Sequence, residues 1–159
     1  MMRAEEPTEW PAGPDAAKFT FDVNVIGVIR MVKHLLPRLQ RDKGRIVNIG
    51  SYFGSFTPLG LKQLSYSASK HAVEALSDGL RRGLVKEKVA VSLVKPGNFR
   101  TEMNTVGGNP QLVAEAVLDA VTHERPYPRY YIGEVMGWPM YPLCFLLSHA
   151  PEWITDKII

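Results

Sequence analysis

The chain has 159 residues and a formal net charge of +3, and 45% of its residues are hydrophobic. This length suits one hydrophobic core, and the mild charge without a block of lysine or arginine gives no indication of nucleic-acid binding. The single cysteine, Cys144, excludes an internal disulfide, and the four histidines lack the spacing typical of a zinc site. The polar, acidic segment Met1–Glu6 does not resemble a signal peptide.

Helical and extended segments alternate along the chain. Residues 1–14 and 50–64 are rich in polar, proline or glycine residues and are predicted as loops. Three segments with apolar residues at helical spacing are predicted as helices: 15–41, 65–86 and about 111–122. Three short runs of β-branched or aromatic residues are predicted as strands: 45–49, 89–94 and 129–132. This alternation predicts an α/β fold, in which helices cover a parallel sheet in a single domain.

The two longer helices are each expected to bury an apolar stripe. In the first helix the stripe comprises Phe19, Val23, Ile26, Val32, Leu35, Leu36 and Leu39. In the second helix it comprises Ala68, Ala72, Leu76, Leu80 and Leu84, whose small members allow close packing. Pro37 is predicted to bend or end the first helix. Asn24 interrupts the first stripe, and a buried amide is unfavourable unless it has a hydrogen-bond partner.

Tyr66 and Lys70 stand four residues apart at the start of the second predicted helix. This spacing places both side chains on one face, a turn apart. A phenol titrates near pH 10, and an ammonium about 4 Å away stabilises its ionised form by roughly 4 kcal/mol of gross attraction. Such a pair can act as a general acid and base. By itself, the spacing favours an ordinary helix with a half-buried tyrosine and an exposed lysine.

Further polar residues follow the predicted strands at their carboxyl ends. Ser51 follows the first strand, and Pro96–Thr101 follows the second. Ligands of open parallel sheets bind at this edge, so we expect both segments to lie near Tyr66. Taken singly, the serine is an ordinary turn hydroxyl and the proline–glycine pair an ordinary turn. Their occurrence together with the tyrosine–lysine pair and Asn24 indicates a catalytic site.

Four segments together resemble the short-chain dehydrogenase/reductase family: Asp22–Gly27, Gly44–Ser51, Tyr66–Lys70 and Pro96–Thr101. The resemblance runs from about residue 7 to the C-terminus. The tail, with Arg129–Tyr131, is similar to the branch that holds retinol dehydrogenases, 17β-hydroxysteroid dehydrogenases and D-3-hydroxybutyrate dehydrogenase. The resemblance implies a Rossmann-like, doubly wound parallel sheet and the use of NAD or NADP.

The resemblance also implies a role for each motif residue. Tyr66 would be the general acid/base on the substrate oxygen, and Lys70 would stabilise its phenolate and hold the nicotinamide ribose. Ser51 would hydrogen-bond the substrate oxygen and stabilise developing charge. Asn24 would hold a water that completes a proton relay to Lys70. The nicotinamide end of the cofactor would be bordered by Pro96, Gly97 and Thr101.

Two features depart from the family pattern. Tyr66 comes 15 residues after Ser51, a couple more than the family usually shows, with the extra length in 57–64. The sequence also lacks the glycine-rich phosphate turn and the acidic ribose residue, which belong to the first half of a dinucleotide fold. We therefore expect residues 1–159 to be the C-terminal, catalytic portion of one Rossmann-fold domain, with the N-terminal half missing.

The implied function is the NAD(P)-dependent interconversion of a secondary or allylic alcohol and its carbonyl. The apolar tail 134–159 favours a lipid-like substrate such as a retinoid or a steroid. The alternative is a truncated, non-catalytic relative that serves only in association, because helices 15–41 and 65–86 resemble those that pair subunits in the family. Helical pairing of this kind would give a homo-oligomer.

The apolar stretch 135–147 allows three interpretations. It is too short and too interrupted by prolines to span a bilayer. It fits a tail packed on the core, a lid on an apolar substrate pocket, or a peripheral membrane contact through Trp138 and Phe145. The expected location is intracellular, either cytoplasmic or associated with the membrane of the endoplasmic reticulum or mitochondrion.

Overall fold

A parallel sheet between two layers of helices organises the protein. The computed structural model describes residues 14–57, 63–99, 108–135, 138–139, 142, 145–146 and 149. Its α-helices are α1 (Pro14–Phe21), α2 (Gly27–Asp42), α3 (Leu64–Gly83) and α4 (Gln111–Thr122). Its strands are β1 (Arg45–Ile49), β2 (Ala90–Pro96), β3 (Arg129–Ile132), β4 (Glu134–Val135) and β5 (Trp138–Pro139). The α/β class and the predicted order of helices and strands up to residue 132 are confirmed.

The sheet has the order β1–β2–β3, and both pairings are parallel. In register, Ile46 pairs with Val91 and Leu93 pairs with Arg129. The predicted end of the second strand at residue 94 is wrong, because Lys95 and Pro96 still pair with β3. The short antiparallel pair β4–β5 was not predicted and lies in the tail. The longer β2 carries the backbone up to the proline–glycine turn.

Successive side chains of β1 point to opposite faces of the sheet, and each face is covered by a different layer of helices. Asn48 donates from Nδ2 to Ser77 Oγ of α3 at 2.8 Å. Arg45, which points to the opposite face, donates to the carbonyl oxygen of Ala120 in α4 at 3.1 Å. Helices α3 and α4 therefore lie on opposite faces of the sheet, as in a doubly wound fold.

The main apolar core lies between α2, α3 and one face of the sheet. Its buried members are Ile46, Leu84, Val89 and Val91, and the side chains packed against them are Val32, Leu36, Leu39 and Leu80. Five of these eight residues belong to the two predicted apolar stripes: Val32, Leu36 and Leu39 of the first and Leu80 and Leu84 of the second. The C-terminal halves of both helices therefore pack as the apolar periodicity predicts.

The first predicted helix is continuous from Pro14 to Asp42 but contains a π-helical segment at Asp22–Ile26. Pro37 does not end it; the helix ends at Lys43, whose left-handed φ of 50° lets its N–H bond back to the last turn. A π-turn contains an extra residue and so shifts the phase of the stripe. The expected burial of Phe19, Val23 and Leu35 is wrong, because all three are exposed.

The second predicted helix buries small polar residues instead of the alanine at its start. Ala68 was expected to face inward and is exposed. The buried residues of α3 are Ser67, Ser69, Val73 and Ser77. Two of these serines bond within the helix, since Ser69 Oγ donates to Tyr66 O and Ser77 Oγ to Val73 O, each at 2.7 Å. A hydroxyl satisfied in this way packs like a small apolar group, which lets the helix approach the sheet closely.

Candidate active site

The first turns of α3 bring Tyr66 and Lys70 together. Lys70 Nζ lies 5.6 Å from the centre of the Tyr66 ring, as the four-residue spacing predicted. The ammonium also donates to Ile49 O at the end of β1, at 3.0 Å. Burial lowers the pKa of Lys70 below its usual value of 10.5. The lysine is therefore fixed between the sheet edge and the tyrosine, rather than extended into solvent.

Ser51 stands directly after β1 and is buried. Its Oγ accepts a hydrogen bond from Phe53 N at 3.2 Å and so caps the short 3₁₀ turn Tyr52–Gly54. The ring of Phe53 in turn meets the ring of Tyr66 edge to face, with centres 6.2 Å apart. The serine hydroxyl uses a lone pair in this contact and keeps its hydrogen for another acceptor. The Ser51 turn thus packs on the tyrosine despite the long spacing between them in sequence.

Asn24 sits in the π-helical segment and faces α3. Its Nδ2 donates to Ser69 Oγ at 3.0 Å, and that hydroxyl donates to Tyr66 O. The amide therefore has the partner that its half-buried position requires. It supports the backbone of the tyrosine. The sequence alone assigns no role to Ser69, which stands between the motif residues Tyr66 and Lys70. The water relay from Asn24 to Lys70 stays a prediction.

Pro96 and Gly97 end β2 beside a cavity of about 670 Å³. Gly97 N donates to Ile132 O at 2.9 Å, which holds the turn on β3. The phenol of Tyr52 bridges to the turn from the serine side, donating to Asn98 Oδ1 at 3.0 Å. Thr101, the third residue predicted to border the nicotinamide, lies outside the described residues. Two of the three predicted border residues thus lie at one edge of the sheet with the Ser51 turn.

Much of the lining of this cavity is apolar. It includes Phe99, Pro110 and three residues of α4, which are Val113, Ala114 and Val117. The Phe99 ring is buried and fills the space over Gly133, whose φ is +93° and where a Cβ would lie 2.8 Å from Phe99 Cζ. The cavity can therefore accept an apolar molecule next to the sheet edge.

A buried ionic group that the motifs did not predict lies behind the site. Lys95 forms an ion pair with Glu74 of α3 and a hydrogen bond with Ser55. Burial raises the pKa of the Glu74 carboxyl, against the opposing effect of Lys95. A signal was present in the sequence, because a lysine that follows the apolar residues Leu93 and Val94 in a central strand needs a partner.

Two other functional classes find no support in the described part of the chain. It holds no group of three or more histidine, cysteine, aspartate or glutamate side chains placed to bind a metal ion. None of its helices combines the length and the apolar character required to cross a bilayer. Most of the stretch 135–147 lies outside the described residues, but Phe145 and Leu146 within it are exposed.

A parallel sheet with helices on both faces defines the doubly wound α/β class, whose members bind ligands at the carboxyl ends of the strands. The comparisons place the chain more narrowly. The model of a family described as short chain dehydrogenase matches residues 12–110. The chain belongs to the short-chain dehydrogenase family, and the resemblance inferred from its motifs is confirmed.

Two curated relatives and one solved structure illustrate this membership. Retinol dehydrogenase 7 of Rattus norvegicus is 40% identical over 96% of this chain and 59% of its own length. 17-beta-hydroxysteroid dehydrogenase type 6 of Bos taurus is 48% identical over 53% of this chain and 26% of its own length. A short chain dehydrogenase from Burkholderia cenocepacia J2315, in complex with NADP, matches with a TM-score of 0.78 and 25% identity, over 97% of this chain and 63% of that one.

These matches also bear on the finer predictions. The names of the two relatives confirm the predicted similarity to the branch of retinol and hydroxysteroid dehydrogenases. The chain spans less than two thirds of the length of either relative.

Proposed function

We propose that this chain carries the proton-transfer end of an NAD(P)-dependent alcohol dehydrogenase site. One observation carries the proposal: the Lys70 ammonium lies 5.6 Å from the Tyr66 ring, while the Ser51 turn packs on the same tyrosine through Phe53. A general acid/base, a cation that stabilises its ionised form and a hydroxyl for the substrate oxygen are the groups that alcohol oxidation needs.

Each side chain has a defined task in this proposal. Tyr66 Oη takes the proton of the substrate hydroxyl during oxidation and returns it during reduction. Lys70 stabilises the phenolate, because its ammonium is held beside the ring by the bond to Ile49 O. Ser51 Oγ donates its free hydrogen to the substrate oxygen and so stabilises the charge that develops there. Asn24 keeps the tyrosine backbone in place through Ser69.

The residues present fit the nicotinamide end of a dinucleotide. An ammonium has three donor hydrogens, and Lys70 gives one to Ile49 O, so two remain for ribose hydroxyls. Pro96 and Gly97 open on the cavity of about 670 Å³, and Thr101 completes the proposed border. The cofactor, when bound, supplies the hydride chemistry. The 159-residue sequence holds no glycine-rich turn for the phosphates, so the chain supplies only part of a cofactor site.

A lipid-like alcohol is the proposed substrate class. The wall that α4 contributes to the cavity is apolar, and its volume lies in the range of small-molecule sites, about 300–1,000 Å³. The relatives named for retinol and for a hydroxysteroid support the same class.

The test compares the 159-residue chain with a fusion in which the first part of the rat relative precedes residue 14. Retinol and a 17β-hydroxysteroid are supplied with NAD or NADP, and reduced cofactor is followed by absorbance. We expect turnover by the fusion. We expect Tyr66→Phe to lower kcat about 10²–10⁴-fold, the usual contribution of a general acid/base, with cofactor binding kept. Undiminished turnover by that variant would remove Tyr66 from its assigned role.

Two controls accompany this assay. Tyr127→Phe changes an exposed tyrosine and should leave kcat unchanged. Calorimetry of the 159-residue chain with micromolar NADH or NADPH should detect no saturable binding, because the phosphate turn is lacking. Tight binding would contradict the division of the cofactor site that we propose.

A second candidate function is association without catalysis. The observation that favours it is the exposed apolar row on the first helix, which includes Phe19, Val23 and Met31. Such a row can pair with another polypeptide chain.

Weak peripheral membrane contact through 135–147 is a further proposal, supported by the exposed Phe145 and Leu146. Co-sedimentation with liposomes, compared with a chain ending at Gly133, would decide it.

A further inference from the structure

One lysine of the chain is completely enclosed by protein. Lys95 is 0% exposed, although lysine is among the residues least often found buried. It is the penultimate residue of β2, and its neighbours in that strand are apolar. The task of this residue is not explained by the reaction proposed above, because Lys70 already provides the cation beside the tyrosine.

Three separate segments meet at the Lys95 ammonium. It pairs with the carboxylate of Glu74 in α3 and with the hydroxyl of Ser55. It also lies 5.1 Å from the centre of the Tyr131 ring in β3, within the range of a cation–π contact. We call Lys95, Glu74 and Ser55 the lysine cluster. Its members join a strand, a helix and a loop that are distant in sequence.

Each member of the lysine cluster adjoins a part of the proposed site. Glu74 lies one turn along α3 from Lys70, and Ser55 ends the 3₁₀ turn that Ser51 begins. The lysine itself directly precedes the proline–glycine turn. The cluster therefore links the three elements that carry Tyr66 and Lys70, Ser51, and Pro96 and Gly97.

The Ser51 turn and α3 are in direct contact at this point. A Cβ built at Gly54 would lie 3.0 Å from Lys70 O and would collide with the Glu74 carboxylate. The backbone of the turn at Gly54 packs here against the backbone of α3 and against the Glu74 carboxylate. A small shift of this carboxylate would therefore move the turn. Lys95 holds the glutamate from the side of the sheet and Ser55 holds the turn to the same ammonium. The distance between turn and helix thus depends on the cluster.

We propose that the lysine cluster is a positioning device, which fixes the Ser51 turn and the proline–glycine turn relative to the Tyr66–Lys70 face of α3. Glu74 and Lys95 are positioning residues, because they act through their neighbours. The catalytic meaning of this inference rests on the proposed function, whereas its geometric content can be tested without turnover.

A purely stabilising role predicts a different outcome from a positioning role. Replacing both members of a buried ion pair with apolar residues of similar volume is often neutral or stabilising. The double variant Glu74→Leu/Lys95→Met removes one positive and one negative charge together, so the net charge is unchanged. If the pair only stabilises the fold, this replacement should leave the geometry of the site unchanged. If the pair positions the site, the replacement should release the Ser51 turn from α3.

The test uses the full 159-residue chain with lysines labelled with ¹³C at Cε, observed by NMR as the pH is raised. In the wild type, burial beneath the turn lowers the pKa of Lys70. In the double variant we expect the titration midpoint of Lys70 to rise towards its ordinary value, because the released turn admits water. Urea unfolding of the same samples shows whether the variant is folded.

The control is Arg81→Met. It removes the ion pair between Arg81 and Asp78, whose N–O distance is 3.4 Å and which lies one further turn along α3. This control should leave the Lys70 midpoint unchanged. A folded double variant with a wild-type midpoint would overturn the proposal. If the double variant does not fold, Ser55→Ala takes its place, since it strands no buried charge; an unchanged midpoint there also overturns the proposal.

Activity of the fusion protein separates this inference from the proposed function. There we expect the double variant to lower kcat about tenfold or more, because misplacement by an ångström is costly, with the KM for the alcohol unchanged. A fusion that never turns over, together with a shifted Lys70 midpoint, would refute the proposed function and leave the lysine cluster standing. Turnover by the fusion, together with an unchanged Lys70 midpoint in the double variant, would support the proposed function and refute the positioning role of the lysine cluster.

Discussion

The two flanks of the parallel sheet differ in the contacts that their helices make with the strands. On the flank of β2 and β3, polar and ionic contacts join α3 to the strands, as in the pair Lys95–Glu74 and the pair Arg129–Asp78. On the flank of β1 the first helix leaves apolar side chains in solvent, and a groove of about 470 Å³ runs between α2 and the strand. No strand in the described part of the chain pairs with the outer edge of β1.

The two flanks therefore differ in how much of their surface is already in contact within the chain. On the flank around α3, the ion pairs of Glu74 and Asp78 tie the helix to β2 and β3 within the chain. The flank of β1 presents apolar surface and an unpaired strand edge, which are features that other polypeptide commonly covers. Substitutions on the two flanks should therefore affect different properties.

The largest effect on stability is expected on the closed flank. Leu93 is 1% exposed in the centre of β2, so Leu93→Ala removes buried apolar atoms and leaves a cavity. We expect the free energy of unfolding to fall by about 2–5 kcal/mol, measured by urea denaturation. Val121→Ala, at an exposed position of α4, is the control and should change it by less than about 0.5 kcal/mol. An equal loss in both variants would contradict the contrast.

An intermediate, pH-dependent effect is expected at Lys70. Because burial lowers the pKa of Lys70, the unfolded chain binds this proton more tightly than the folded chain does. The free energy of unfolding should therefore gain a rising contribution with pH, from the lowered pKa up to the ordinary value of 10.5. Lys70→Met should remove that rise, whereas the exposed Lys86→Met should keep it. Identical pH profiles of unfolding for both variants would show that burial of Lys70 has no thermodynamic consequence.

The smallest effect on stability is expected on the open flank. Met31 is 61% exposed, and Leu35 lies near it on the same helix. Met31→Gln/Leu35→Gln should change the free energy of unfolding by about 0.5 kcal/mol or less. The same variant should reduce self-association in analytical ultracentrifugation, since it removes apolar surface from the row. Unaltered association would exclude this helix from the proposed homo-oligomer contact.

The sequence predicted the strands and the contact between Tyr66 and Lys70 better than it predicted the helix faces. Strong local signals mark β1 and β3, whose bounds match the prediction, and the Tyr66–Lys70 contact follows from helix geometry. The faces of the first helix could not be read from a single 3.6-residue period, because the π-turn around Asn24 breaks the phase. In α3 three of the four buried residues are serines, two of which, Ser69 and Ser77, bond within the helix, and hydrophobicity does not mark such residues.

The lysine cluster was missed for a different reason. Its three members are separated by 19 or more positions in sequence, as their numbers show, and no local pattern relates them. Only the folded contact between strand, helix and turn reveals that Lys95 has partners. A charged residue inside an apolar strand could have raised the question, but the identity of the partner depends on tertiary packing.

Gly133 has a consequence for the size of molecule that this site can admit. At φ of +93° it leaves room for the Phe99 ring, and any added Cβ would press on that ring. The ring also lines the cavity beside Pro96. A larger residue at position 133 would drive the aromatic plane into that space, so the capacity of the pocket is governed in part by a residue that has no side chain.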